Sequence, residues 1–406
     1  MPDVARPASM PGWLRGDVAA FLIVFAILVA LVGVAPRWFA VPAPREAPGE
    51  TLHGMVVRVV DERQEATPRG QQRTRVLEVA VGDRVVTVEE QTIEGAVGLV
   101  PPQAGDAVLV QSTQAPGGGE VFYIVDHGRT RTLWIFGALF AGLVLFVGRW
   151  YGVRSLLGLA VTYLVLMRFI IPAILSGYSP LLISMVGGVG IMASTLALAH
   201  GIDRKSTAAI GGTAAALVLI VVLSQIAIVA AKLTGLVGDD EASTVFVLFG
   251  GAIDARGLLL SGILIGALGA LDDVTMTQSS AVFELRDADP TLQPRGLYER
   301  GMRIGRDHIA SIVNTLVLAY AGASMPLLVI LASQTEGVGT LLNREFLASE
   351  IVRTLVGSIG IVAAVPLTTA IAAMFAAGQR PPSTPPAAPS TSPVPATADA
   401  APSVDA

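Results

Sequence analysis

The residues best placed to do chemistry recur every three or four positions along one stretch: Gly262, Gly266, Gly269, Asp273, Thr277, Ser280 and Glu284. At 100° per residue they fall within about 40° of one meridian of a helix, so one face is glycine in its first half and acid and hydroxyl in its second. The glycines would let a neighbouring helix approach closely, as in small-xxx-small packing. The polar groups would then line whatever lies between the two helices. Carboxylates with hydroxyls suit a small cation or polar solute, with proton or cation coupling through Asp273. Asp272 points about 100° away, so the two carboxylates need not share a ligand.

A matching stripe follows downstream. Asp307, Ser311 and Asn314 stand at i, i+4 and i+7, with Arg306 and His308 alongside and Tyr320 further on. The expectation is that Asp273, Thr277, Ser280 and Glu284 face Arg306, Asp307 and Asn314 across a cavity open to the cytoplasm. The plainer readings are a helix leaving the membrane into headgroups for the first stripe and interhelical hydrogen bonding for the second. His308 could relay protons; His53, His127 and His200 lack partners at metal-ligand spacing. Without a single Cys there is no disulfide, thiolate nucleophile or Cys-ligated metal. No nucleotide-binding loop, nucleophile elbow or zinc-protease helix is present. No metal, cofactor or enzymatic activity is expected; an intramembrane enzyme using Asp273 as ligand or base is the minor alternative.

The elements that must position these residues are apolar. Of 406 residues, 52% are hydrophobic and 15% charged, against roughly 25% charged in a soluble domain. The net charge of -5 offers no basic surface to nucleic acid. A span needs about 20 mostly apolar residues. Runs approaching that length cover 18–35, 133–147, 156–175, 180–199, 207–233, 257–271 and beyond, 309–332 and 355–377, about eight transmembrane helices. From 257 to 285 the helix would be about 43 Å long, with Asp273 some 24 Å from its start, near the inner edge of the hydrocarbon. An ionisable residue at that depth is costly, which favours a cavity-facing role. Residues 18–35 read as an uncleaved anchor after a cytoplasmic segment 1–17, and residues 244–254 as a re-entrant stretch feeding the sixth span, with Asp254 at its outer end. Arg168 is expected to snorkel to the interface, and Ser224, Gln225, Arg353 and Thr354 to serve packing and anchoring.

Between the first two spans, residues 51–129 change to short alternating or β-branched runs at 55–60, 76–81, 85–88, 107–110 and 121–125. Gly82-Asp83 signals a hairpin; 67–70 and 116–119 read as longer loops. Five short strands suggest a small extracytoplasmic β-barrel of the oligonucleotide/oligosaccharide-binding type, an analogy that assigns no ligand. The Pro/Ala/Ser-rich tail 378–406 is expected to be disordered. Arg149, Arg154, Arg204, Lys205 and the arginines 286–306 fall in loops on one side, while 176–179 and 235–243 carry neither Arg nor Lys. This places both termini in the cytoplasm.

Three stretches carry a family resemblance: GALGALDDVTMTQSSAVFEL at 266–285, Gly305-Arg-Asp-His with NTLVLAYAG at 314–322, and EIVRTLVGSIG at 350–360. With the order of spans, the region from about 130 to 377 resembles the YibE/F family of bacterial multipass membrane proteins. The resemblance implies an integral protein of the bacterial cytoplasmic membrane, with a seven-helix domain over 132–377, and names no activity. Its acidic position maps to Asp273, the acid before the final Leu to Glu284 and the polar seventh-span position to Asn314; Asp272 is a less characteristic position. The functional expectation is a permease or channel-like transporter for a small ion or polar solute. The alternative is a non-transporting scaffold or envelope-assembly component acting through its β-domain on a protein partner.

Overall fold

The computed structural model describes residues 22, 24–42, 51–67, 70–93, 100–114, 119–236, 247–249, 253–333 and 337–378. Most of the re-entrant stretch, the tail beyond 378 and the segment 1–21 lie outside them. After a short apolar helix α1 (Val24–Val34) come five strands: β1 (Thr51–Thr67), β2 (Gly70–Val81), β3 (Arg84–Ile93), β4 (Ala107–Gln114) and β5 (Glu120–His127). They close into a barrel in the order β1-β2-β3-β5-β4, with β3 parallel to β5 and the other pairings antiparallel.

Alternation builds the barrel. Val56, Leu77, Val79, Val88, Val108 and Val110 point inward and are buried, as period-two strands require. β1 pairs with both β2 and β4, and its irregularities between Val56 and Arg58 and between Val59 and Asp61 mark where it bends to do so. The Gly82-Asp83 hairpin is present, Gly82 holding φ 57°. The 67–70 stretch, read as a longer loop, instead carries the ladder out to Thr67 opposite Gly70. Arg75 is buried and donates to the Pro102 carbonyl at 2.8 Å, with Glu62 and Glu90 at 3.5 and 3.7 Å. Burial pushes the Glu90 carboxyl above the usual range, against the opposing charges of Arg75 and His127.

Only Gly128 and Arg129 separate the barrel from the helices. These are α2 (Thr130–Leu175), α3 (Pro180–His200), α4 (Arg204–Ala230), α5 (Ala255–Ala288), α6 (Pro294–Ala323), α7 (Met325–Ser333), α8 (Val338–Leu342) and α9 (Glu345–Ala377). Five of them, α2 to α5 and α9, are long and apolar enough to cross a membrane, consistent with a multipass membrane protein.

The expected runs from 133 to 377 fall on these helices, while run 18–35 lies partly outside the described residues and meets only the short α1. The second and third runs are two helical stretches joined within α2 by a kink at Arg149, where φ 47° and ψ −123° leave the helical region and Gly152 lies against the backbone of Val144. The seventh run divides at Ser324 into α6 and α7. A periodicity reading sees only the apolar residues on either side of such breaks.

The helix α5 is central, packing against α3, α4, α6 and α9. Its contacts are apolar and polar together. Thr213 and Thr275 share a 2.8 Å hydroxyl hydrogen bond, Ser279 donates to the Lys205 carbonyl at 2.8 Å, and Gln278 donates to the Gly301 carbonyl and the Thr369 hydroxyl, both at 2.8 Å. All three α5 side chains are buried, and each such pairing spares a polar group from standing alone in hydrocarbon.

Candidate functional site

Two polar faces coexist on α5, and only one of them is used for packing. Thr275, Gln278 and Ser279 bind it to α4, α6 and α9. The meridian through Asp273 stays open: Gly262, Gly266, Gly269, Asp273, Thr277 and Glu284 are exposed and Ser280 is half-buried. The expected close approach of a helix onto the glycines is corrected here. A Cβ added at Gly262 or Gly269 would meet nothing within 4 Å, and one at Gly266 only the Tyr320 hydroxyl at 3.8 Å.

Close approach occurs elsewhere. A Cβ at Gly301 would lie 2.9 Å from both Thr369 and Val282, and one at Gly305 only 2.5 Å from Val365 and 3.1 Å from Gln278. These glycines seat α6 against α5 and α9.

That seating decides where the downstream stripe goes. Gln278 and Val282, which meet α6, lie about 140° and 180° around α5 from Asp273 at 100° per residue. At the level of Gln278 and Val282, α6 therefore runs behind the Asp273 meridian, and its Tyr320 comes near that meridian two turns earlier, at Gly266. Arg306, Asp307 and Asn314 are exposed, and none of them lines the space beside Asp273. The expected cavity between the two stripes is thus replaced by a recess between α3 and α5.

This recess, about 450 Å³, is lined by Leu196, Gly269, Asp272, Asp273, Met276, Thr277 and Ser280. A smaller cavity of about 160 Å³ adjoins it, sharing Gly269 and Asp272 and extending to Thr162 on α2 and Thr195 on α3. The Thr195 hydroxyl donates to Asp272 Oδ2 at 3.3 Å. Both consecutive carboxylates therefore border the recess, Asp272 half-buried at its inner wall and Asp273 on the open side. Sequence reasoning set Asp272 aside because a helical wheel gives its angle but not its neighbour. The polar pair Ser194-Thr195, interrupting an otherwise apolar run, was the available signal.

Glu284, at the far end of the stripe, makes an ion pair with Lys205 Nζ at 2.7 Å. Lys205 sits in the first turn of α4, whose start is capped by the Asp203 carboxylate on the Ser206 amide at 2.7 Å. The recess thus offers a run of oxygen groups, Asp272, Asp273, Thr277 and Ser280, leading to an acid–lysine pair. Among the described residues no three His, Cys, Asp or Glu side chains converge as a metal centre would require.

The profile of a family described as YibE/F-like protein matches residues 136–378. The chain belongs to that family. The matched region runs from within α2 through the end of α9, so it holds the recess, the stripe and the α6 seating, and leaves the barrel and α1 outside. Neither a curated protein nor a solved structure matches the chain.

Proposed function

We propose that this YibE/F-like protein is a permease or channel-like transporter of the bacterial cytoplasmic membrane, carrying a small ion or polar solute past Asp272 and Asp273. The observation that carries this reading is the polar recess between α3 and α5, bordered by two consecutive carboxylates on a helix long enough to cross the bilayer. An acid within such a helix is costly facing lipid and inexpensive facing water, so its usual place is a solute or proton path. Arg and Lys in the loops on one side favour cytoplasmic termini and an outer barrel. Binding and movement of solute need no covalent step, in keeping with a protein that is not an enzyme.

In proteoliposomes on a solid-supported membrane, a pH gradient and a panel of cations and small solutes should give a solute-dependent current. Asp273→Asn, shown to be folded, should reduce it at least tenfold. Currents equal in wild type and variant would sink the reading.

A scaffold role gains support from one feature, the closed barrel joined to α2 through only Gly128 and Arg129. A partner docked on the barrel would act directly on α2. Deletion of 51–129 with no cellular phenotype would remove this second reading.

A further inference from the structure

A separate, open-sided cavity of about 330 Å³ lies between α6, α7 and α9, with Val317, Leu328 and Leu355 on its wall exposed. It exists because α6 stops at Ser324 and α7 restarts at Met325, leaving space against α9. Its wall is mainly apolar, with Val317, Leu328, Leu347 and Leu355, and among its few polar members are Tyr320, Ser324 and Glu350. Ser324 Oγ donates to Glu350 Oε1 at 3.0 Å. Glu350 Oε2 forms an ion pair with Arg353 Nη1 at 3.7 Å, longer than a hydrogen bond and partly exposed. Arg353 does not line the cavity, so the charged side chain on its wall is Glu350, whose pairing with Arg353 an incoming cation would share.

Tyr320 is the partition between this cavity and the stripe on α5. Its hydroxyl lies 3.8 Å from where a Cβ on Gly266 would stand and 3.3 Å from one on Gly357 of α9. Gly266 shares the Asp273 meridian, two turns nearer the start of α5. The cavity therefore belongs to the end of the bundle where α5 and α9 begin, and the Lys205–Glu284 pair to the other.

The composition of the wall narrows the ligand. A bare metal ion wants oxygen on most sides, and this wall is largely hydrocarbon. A cavity of this size with one placed charge fits a small organic molecule whose body is apolar and whose head is complementary to an acid. We propose that this cavity binds a small organic cation, a protonated amine with an apolar body, using Glu350 as its counter-ion and Ser324 to orient the carboxylate. This rests on the transport reading in one respect: it makes such amines the substrate class of the same path, with Tyr320 separating the Glu350 station from the Asp273 recess.

The test uses the full chain in phosphatidylcholine nanodiscs, titrated at neutral pH with cyclohexylammonium and with cyclohexanol, by calorimetry and saturation-transfer NMR against empty nanodiscs. Wild type should bind the amine saturably and the alcohol at least tenfold more weakly. Glu350→Gln should lose at least tenfold in amine affinity while changing alcohol binding less than twofold. Leu328→Trp, which fills the cavity from α7, should exclude both, and serves if Glu350→Gln does not fold. Leu143→Ala, at an exposed position of α2, should bind the amine as wild type does. Amine binding unchanged in either Glu350→Gln or Leu328→Trp, or lost equally in Leu143→Ala, would overturn the proposal. Binding that depends on Glu350, with no flux in any variant, would uphold this site and reject the transport reading.

Discussion

Asp272 and Asp273 are neighbours in the chain with different surroundings, one held by the Thr195 hydroxyl and half-buried, the other on the open meridian of α5. The stripe itself was legible, because helical spacing alone places Asp273, Thr277, Ser280 and Glu284 on one face. Asp272 and the pairing of Glu284 with Lys205 were not, because spacing says nothing about which helix comes alongside. The buried polar residues of α5 were passed over for the same reason, and they make a separate prediction. Gln278→Leu leaves the Gly301 carbonyl and Thr369 hydroxyl without its donors, so thermal unfolding in detergent should show a loss of about 1–2 kcal/mol, the upper range for hydrogen bonds between membrane helices.

The barrel offers a test by pH. The Arg58 guanidinium, donating at 2.7 Å, holds the Glu78 carboxyl below its usual range, while burial pushes Glu90 up. A lowered folded pKa means that the Glu78 contribution is present above the unfolded value and lost as pH falls through the folded one. A raised one has the opposite sign: the cost of ionised Glu90 is present above its folded pKa and relieved as pH falls below its unfolded value. Carboxyl NMR titration of the two should find Glu90 protonating at the higher pH; the reverse order would contradict the burial seen here.

Elements divide by whether their glycines are used. Gly305 is pressed by Val365 and Gln278, whereas Gly262 faces open space. Gly305→Ala should therefore overpack the α5–α6–α9 contact at a cost of about 1–3 kcal/mol. Gly262→Ala should be neutral or gain up to about 1 kcal/mol from helix propensity. Equal melting temperatures for the two variants would show that α6 does not seat on Gly305. From sequence the glycine stripe at 262–269 looked like the packing face, since small residues at that spacing mark close helix pairs. The pairs actually formed depend on Gly301 and Gly305, on a helix whose charged first half hid them. The kink at Arg149, by contrast, falls in the gap that the sequence leaves between the runs 133–147 and 156–175.

For the whole molecule, the β-domain was the more readable half. Inward valines at period two, a Gly82-Asp83 turn and short strands specify a small barrel, and local pairing closes most of it. The helical half follows from long-range choices: α5 takes its polar partners from α4, α6 and α9 and leaves its acidic meridian open beside α3. The absence of cysteine from the chain makes that arrangement directly testable. Single cysteines placed at Thr277, Ser280 and, as a lipid-side control, Phe146 on α2 would be reacted in intact membranes with a charged, water-soluble thiol reagent. Thr277→Cys and Ser280→Cys should react rapidly while Phe146→Cys, at an exposed position of an apolar helix, should not. Stripe positions as inert as Phe146→Cys, and reactive only toward a lipid-soluble reagent, would contradict that arrangement.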